Sequence, residues 1–198
     1  MALDDLPGRT EEKPSTTRDK LIGVFIGILA VVLAICSMGG DNAAKDAAFK
    51  NIEASNTWAF FQAKNARRQG LRLQADQLEI MTAAQPTMAD DAKQSIAARV
   101  ADYRTQADKL TSDPERKEGL DELWVKGKAL EAERDDALNR GPYFDYGQAL
   151  LQIAIVLASI AIISGGNALL IGSFVLGGLG ALSTVGGFTQ AFPMPFAG

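Results

Sequence analysis

The chain contains no histidine and a single cysteine, Cys36. Those absences remove disulfide frameworks, zinc sites built on Cys or His, and every catalytic scheme that relies on an imidazole. They assign no compartment, because many proteins in oxidising surroundings also lack disulfides. A third absence is positional: no Asp, Glu, Lys or Arg occurs between Leu21 and Met38, or across the roughly forty residues from Gly147 to Phe188. Proton relays, voltage sensors and charged-substrate paths place ionisable groups inside the bilayer, so none of these roles is expected there. The carboxylate pairs Asp90-Asp91, Asp121-Glu122 and Asp135-Asp136 are sequence neighbours on helical stretches and diverge. Asp113-Pro114-Glu115 has no metal-loop spacing. The expectation is a protein that is not an enzyme and needs no cofactor and no metal.

What is present is apolar length. Gly147 to Phe188 is divided near its middle by Ser164-Gly165-Gly166-Asn167. Each half is about twenty residues, enough for a helix to cross a ~30 Å hydrocarbon core. With Leu21 to Met38 this predicts three membrane-spanning helices, at 21–38, 143–164 and 168–190, with membrane lipid as a partner. The first span also has the length and basic flank of a signal peptide, and Leu33-Ala34-Ile35-Cys36 resembles a lipobox. The bulky Ile35 before the cysteine, and the lack of a following A-x-A site, favour an uncleaved anchor. Cys36 then reads as a small buried hydrophobe near a helix end.

The rest is polar. Residues 1–20 carry two prolines and nine charges, a composition of disordered tails. Residues 39–142 hold 16 Lys plus Arg against 18 Asp plus Glu, interspersed, which leaves no basic footprint for nucleic acid. From Asp41 helix-forming residues run without proline to Pro86, which predicts one long helix ending at Gln85. Gly39-Gly40 either ends the span or kinks it. Ala44, Ala48, Ile52, Ser55, Ala59, Ala63, Ala66, Leu73 and Ile80 mark a small-residue stripe along that amphipathic helix. A second helix fits 89–110, with a seam at Ala89, Ile96, Val100, Tyr103, Ala107 and Leu110. A third is expected to start at Pro114, capped by Ser112 or Asp113, and to reach Asn139-Arg140-Gly141-Pro142. Its seam, Leu120, Leu123, Gly127, Leu130, Arg134 and Ala137, is interrupted by Gly127 and Arg134.

Lengths decide the expected architecture. The first helix covers roughly 65 Å and the other two together roughly 70 to 75 Å, and the chain must regain the bilayer by Tyr143. Helices two and three should therefore lie end to end, antiparallel to the first, as a coiled-coil-like hairpin standing on the membrane over 39–142. That register sets Lys64, Arg67, Arg68 and Arg72 opposite Asp102 and Asp108. It also brings Asp46 and Glu53 near Arg134 and Arg140. Tyr143, Phe144, Tyr146, Phe188 and Phe192 fit the interfacial aromatic belt. The pairs Gly23 and Gly27, Ala154 and Ala158, Ser173 and Gly177, Gly177 and Ala181, and Ser183 and Gly187 mark faces for close helix packing, within one subunit or between subunits. Residues 191–198 form a short tail.

Two stretches carry a resemblance. Asn51 to Arg68, NIEASNTWAFFQAKNARR, and Tyr143 to Ser164, YFDYGQALLQIAIVLASIAIIS, resemble the bacterial membrane-protein family catalogued as domain of unknown function 4337. The resemblance implies a membrane protein of bacterial origin, similar in layout over nearly the whole chain, and implies no activity. The reading of the residues is a homo-oligomeric scaffold, or an accessory subunit of another membrane complex, in the bacterial inner membrane. A subunit of an oligomeric pore or transport assembly is the alternative. Arg9, Lys13, Arg18 and Lys20 before the first span place the N-terminus in the cytoplasm and the hairpin in the periplasm.

Overall fold

A computed structural model describes residues 17–192. Four helices make up these residues: α1 (Thr17–Ala84), α2 (Asp90–Thr111), α3 (Leu120–Ser164) and α4 (Asn167–Thr189), with no strand among them. α1, α3 and α4 are each long and apolar enough to cross a membrane. The polar tail expected over 1–20 lies outside the described residues up to residue 16, and its last four residues belong to α1. The C-terminal tail lies outside them from residue 193.

Three boundaries differ from the sequence reading. α1 runs through Gly39-Gly40 unbroken. α3 begins at Leu120 rather than Pro114, because Lys117 donates its N–H to the Asp113 carbonyl at 2.8 Å and takes a left-handed φ of 56°. That closes one isolated turn, after which the chain restarts as helix. Ser112 bonds the Glu122 carboxylate at 2.8 Å rather than capping a helix at Pro114. At the other end α3 passes through Pro142, although proline deletes a helix hydrogen bond and ordinarily kinks or ends the helix. Tyr143 and Phe144 directly after it are both buried, so tertiary packing holds the segment helical. The turn at Gly165-Gly166 falls where expected. Gly165, at φ 68°, supplies the left-handed residue that ends α3 and donates its N–H to the Ala161 carbonyl.

The helices divide into two compact units, one of the chain up to Asn42 together with Arg140 onward, the other Ala43–Asn139. In the first unit the described parts of α1, α3 and α4 pack around small residues. Residue numbers rise together along α1 and α4, from Arg18 on Asn167 through Phe25 on Phe174 to Leu29 beside Gly177. They run oppositely along α3 and α4, from Ser183 bonded to Tyr143 to Ser173 bonded to Ala154.

In the second unit α1 presents Ala43, Ala47, Ala54, Thr57 and Ala75 as its buried line. The stripe read from the sequence, from Ala44 to Ile80, is exposed at every one of its nine positions. The inversion has a simple cause. Both lines keep three-four spacing on the same alanine-rich helix, and the buried one lies beside Trp58 and Phe61, which pack against Trp124 and Gly127 of α3.

Candidate functional site

The site is a set of helix-packing faces, and the closest approach is between α3 and α4. The α4 residues Ser173, Gly177, Gly180, Thr184 and Gly187 alternate steps of four and three, and all are buried. On α3 the facing line is Phe144, Gly147, Leu151, Ala154, Ala158 and Ala161, also buried. A Cβ at Gly180 would lie 2.8 Å from Leu151 Cγ and 3.1 Å from both the Gly147 carbonyl oxygen and the Leu151 nitrogen. Only hydrogen at Gly180 allows the two backbones this separation. Ser173 Oγ donates to the Ala154 carbonyl at 2.7 Å, and Ser183 Oγ to the Tyr143 carbonyl at 2.6 Å, two buried bonds that tie the helices together.

Near Pro142 the packing becomes aromatic. Phe144, only 2% exposed, fills a recess whose floor is Gly39, Gly40 and Gly187, and stacks edge-on against Phe188 at 5.1 Å. Tyr143 donates its hydroxyl to the Phe192 carbonyl, and the two rings lie 5.8 Å apart. Cys36 is fully buried and its thiol meets the Phe144 carbonyl at 3.3 Å.

Of the packing residues named from sequence, Ala154, Ala158, Ser173, Gly177, Ser183 and Gly187 lie inside this unit, and Ala181 is half-buried at its edge. Gly23 and Gly27 are exposed, with nothing within 4 Å of where a side chain would begin. Among the aromatics, Tyr143 and Phe144 point inward, Phe192 is half-buried, and Tyr146 and Phe188 are exposed. Sequence reasoning missed Gly39, Gly147 and Gly180. A search for the mixed four-three step, rather than pairs four apart, finds Gly180 and Gly147.

The second unit carries its own anchor. Trp58 Nε1 donates to Glu131 Oε1 at 2.9 Å, and the indole stacks edge-on with Trp124 and Phe61, centroids 5.1 and 5.6 Å away. Gly127, an interruption in the α3 seam, is where the indole lies: a Cβ there would sit 2.8 Å from Trp58 Cζ2. Lys128 bonds Glu131 at 2.7 Å and stands 5.7 Å from both indole centroids. The Lys128 bond, followed by that from Trp58, holds the Glu131 carboxyl below its ordinary range. Ion pairs follow the same order along the unit: Lys50 with Glu133 at 2.7 Å, Lys64 with Glu118 at 3.5 Å, Arg72 with Asp108 at 3.7 Å and Arg104 with Glu79 at 2.8 Å. The Arg72 pair is one the charge pattern suggested. Arg134 instead bonds Asp135 at 2.8 Å.

The stretch Asn51 to Arg68, one of the two on which the resemblance rests, supplies Trp58 and Phe61 to this anchor. The model of the family described as Domain of unknown function (DUF4337) matches residues 18–190, which covers all four helices. The chain belongs to this family. No curated protein and no solved structure gives a match. In this member of the family, Trp58 and Phe61 of the Trp-Ala-Phe-Phe cluster pack inward, while Ala59 and Phe60 are exposed. Among the described residues no group of three His, Cys, Asp or Glu side chains is placed to hold a metal ion. An open groove of about 540 Å³ between the end of α1 and α2 is bordered by Thr82, Ile96, Val100 and the Glu79 and Arg104 pair.

Proposed function

We propose that this protein is a non-enzymatic, homo-oligomeric scaffold or accessory subunit of a bacterial inner-membrane complex. Its three apolar helices act as spans, and residues 43–139 form an antiparallel, coiled-coil-like helical hairpin outside the bilayer. The order of the ion pairs, 50 with 133 through 79 with 104, supports the hairpin. The four basic residues before the first span support a cytoplasmic N-terminus and a periplasmic hairpin.

One observation carries the scaffold reading. The charged unit exposes Phe49, Ile52, Phe60, Leu73, Ile80, Trp124, Val125 and Leu138, large apolar side chains on a part of the chain that lipid does not cover in this arrangement. A soluble surface scatters such residues singly, whereas Phe49, Ile52, Leu73 and Ile80 share one face of α1 and mark a surface that another chain covers. Extraction in mild detergent followed by mass measurement tests it. The expected mass is a multiple of the 21.1 kDa chain. A stable monomer at cellular concentrations overturns the scaffold. A reporter active only in the cytoplasm, fused after Gly198, is expected to stay silent, and activity there inverts the orientation.

A further inference from the structure

Along α1 the positions Phe49, Ile52, Asn56, Ala59, Ala63, Ala66, Gly70, Leu73, Gln77 and Ile80 step by three and four without interruption for about four and a half heptads. Nine of the ten are exposed, and Gly70 is half-exposed. Phe49 is 66% exposed, Ile52 55%, Leu73 59% and Ile80 68%. The line lies on the side of the helix away from Ala54, Phe61, Arg68 and Ala75, which face the rest of the subunit. One helix thus carries two seams, and its own chain covers only one.

We propose that the uncovered seam, Phe49 to Ile80, is the self-association surface, joining two copies of α1 as a parallel, in-register coiled coil. The inference rests on the homo-oligomeric reading above and names its interface. Three features point to a second copy. First, copies inserted in one membrane share one orientation, so their α1 helices run parallel, and a two-fold axis along them pairs each seam position with itself. Second, the flanks suit that pairing. The positions just before each first heptad core residue are Ala48, Ser55, Gln62, Gln69 and Asp76, and those just after each second are Glu53, Phe60, Arg67, Gln74 and Met81. In register these meet as Ala48 with Glu53, Ser55 with Phe60, Gln62 with Arg67, Gln69 with Gln74 and Asp76 with Met81, so no like charges face each other.

Third, Asn56 and Gln77 both occupy the first core position, where in a parallel pair each side chain meets its own counterpart across the seam. Amides there hydrogen-bond in register and leave partners unmatched in any slipped alignment. Gly70, also at this position, costs an isolated helix about 1 kcal/mol relative to alanine. Nothing in the subunit lies within 4 Å of where its Cβ would be, so no contact within the chain requires glycine. Glycine there leaves room for the side chains of an approaching helix.

The test uses the full chain in native membranes with Cys36→Ala and one new cysteine. Under mild oxidation Ile52→Cys and Leu73→Cys are each expected to give a disulfide-linked dimer at least tenfold above Asp121→Cys on the exposed side of α3. Self-crosslinking at both positions requires a parallel register, since an antiparallel pair brings Ile52 opposite Gln77. In parallel, Ala59→Glu with Ala63→Glu is expected to lower the mass in detergent to that of the monomer while leaving helix content unchanged, because both sites are exposed in the subunit. Background crosslinking, or an unchanged mass in the double variant, overturns the seam and leaves the oligomeric scaffold standing if the parent chain is oligomeric. A monomeric parent chain overturns both.

Discussion

Alanine at Gly180 is the smallest change that tests the close approach of α3 and α4. The added Cβ would meet Leu151 Cγ at 2.8 Å, and two backbone atoms, the Gly147 oxygen and the Leu151 nitrogen, at 3.1 Å. Leu151 is fully buried and cannot rotate into open space, and backbone atoms move only if a whole helix moves. Reaching ordinary contact distance requires α3 and α4 to separate by several tenths of an ångström along a face tied by Ser173 and Ser183. Overpacking a tight interior costs about 1–3 kcal/mol. Replacing glycine in a helix returns up to about 1 kcal/mol, so the net expectation is a loss of about 1–2 kcal/mol. Gly178 is the internal control: two residues away on the same helix, it has nothing within 4 Å, so Gly178→Ala is expected to be neutral or mildly stabilising. Unfolding of detergent-solubilised protein, followed by loss of helix signal, is expected to place G180A several degrees below wild type and G178A at or above it. Equal midpoints for the two variants would refute the claim that hydrogen at Gly180 sets the helix separation.

Two further outcomes concern the charged unit. Trp58→Phe keeps an aromatic ring near Trp124 but deletes the donor to Glu131, so it is expected to lose about 1 kcal/mol in the same unfolding assay, against clearly more for Trp58→Ala. The Glu131 and Glu122 carboxyls are held below their ordinary range, the first by Lys128 and Trp58, the second by the Ser112 hydroxyl. A depressed carboxyl contributes stability that is present above its unfolded value, about 4.3, and is lost as pH falls through the folded value. Acid titration is therefore expected to lower the melting point of the parent chain below about pH 4.5, with a smaller decline in Glu131→Gln, which cannot titrate.

The helical stretch from Asp41 up to Pro86, the helix at 90–111 and the turn at 165–166 were legible because proline, glycine and long apolar runs act locally, whereas the continuity of α1 through Gly39-Gly40 was not. Nor were the faces. On α1 the sequence offers two alanine-rich lines of equal periodicity, and only the packing of α3 beside Trp58 and Phe61 chooses between them. The same limit hid the continuity of α3. Pro142 is a local signal for an end, whereas the burial of Tyr143 and Phe144 that keeps the helix going is a tertiary fact. Ala154, Ser173 and Gly177 were found by their four-residue spacing, but Gly180 and Gly147 were not, because a supercoiled contact alternates threes and fours.

A helix of 68 residues, about 100 Å of uninterrupted turns, also constrains how such a chain can change over generations. Ile22, Leu29, Cys36 and Ala43 fall on its buried side at intervals of seven. Inserting a single residue among them turns everything downstream by about 100° and presents the wrong side chains to α3 and α4. Seven inserted residues restore the phase. Viable length variants among related sequences should therefore gain or lose whole heptads in α1 together with a matching change in α3, or place their insertions at residues 85–89 and 112–119, where no helical phase is carried across.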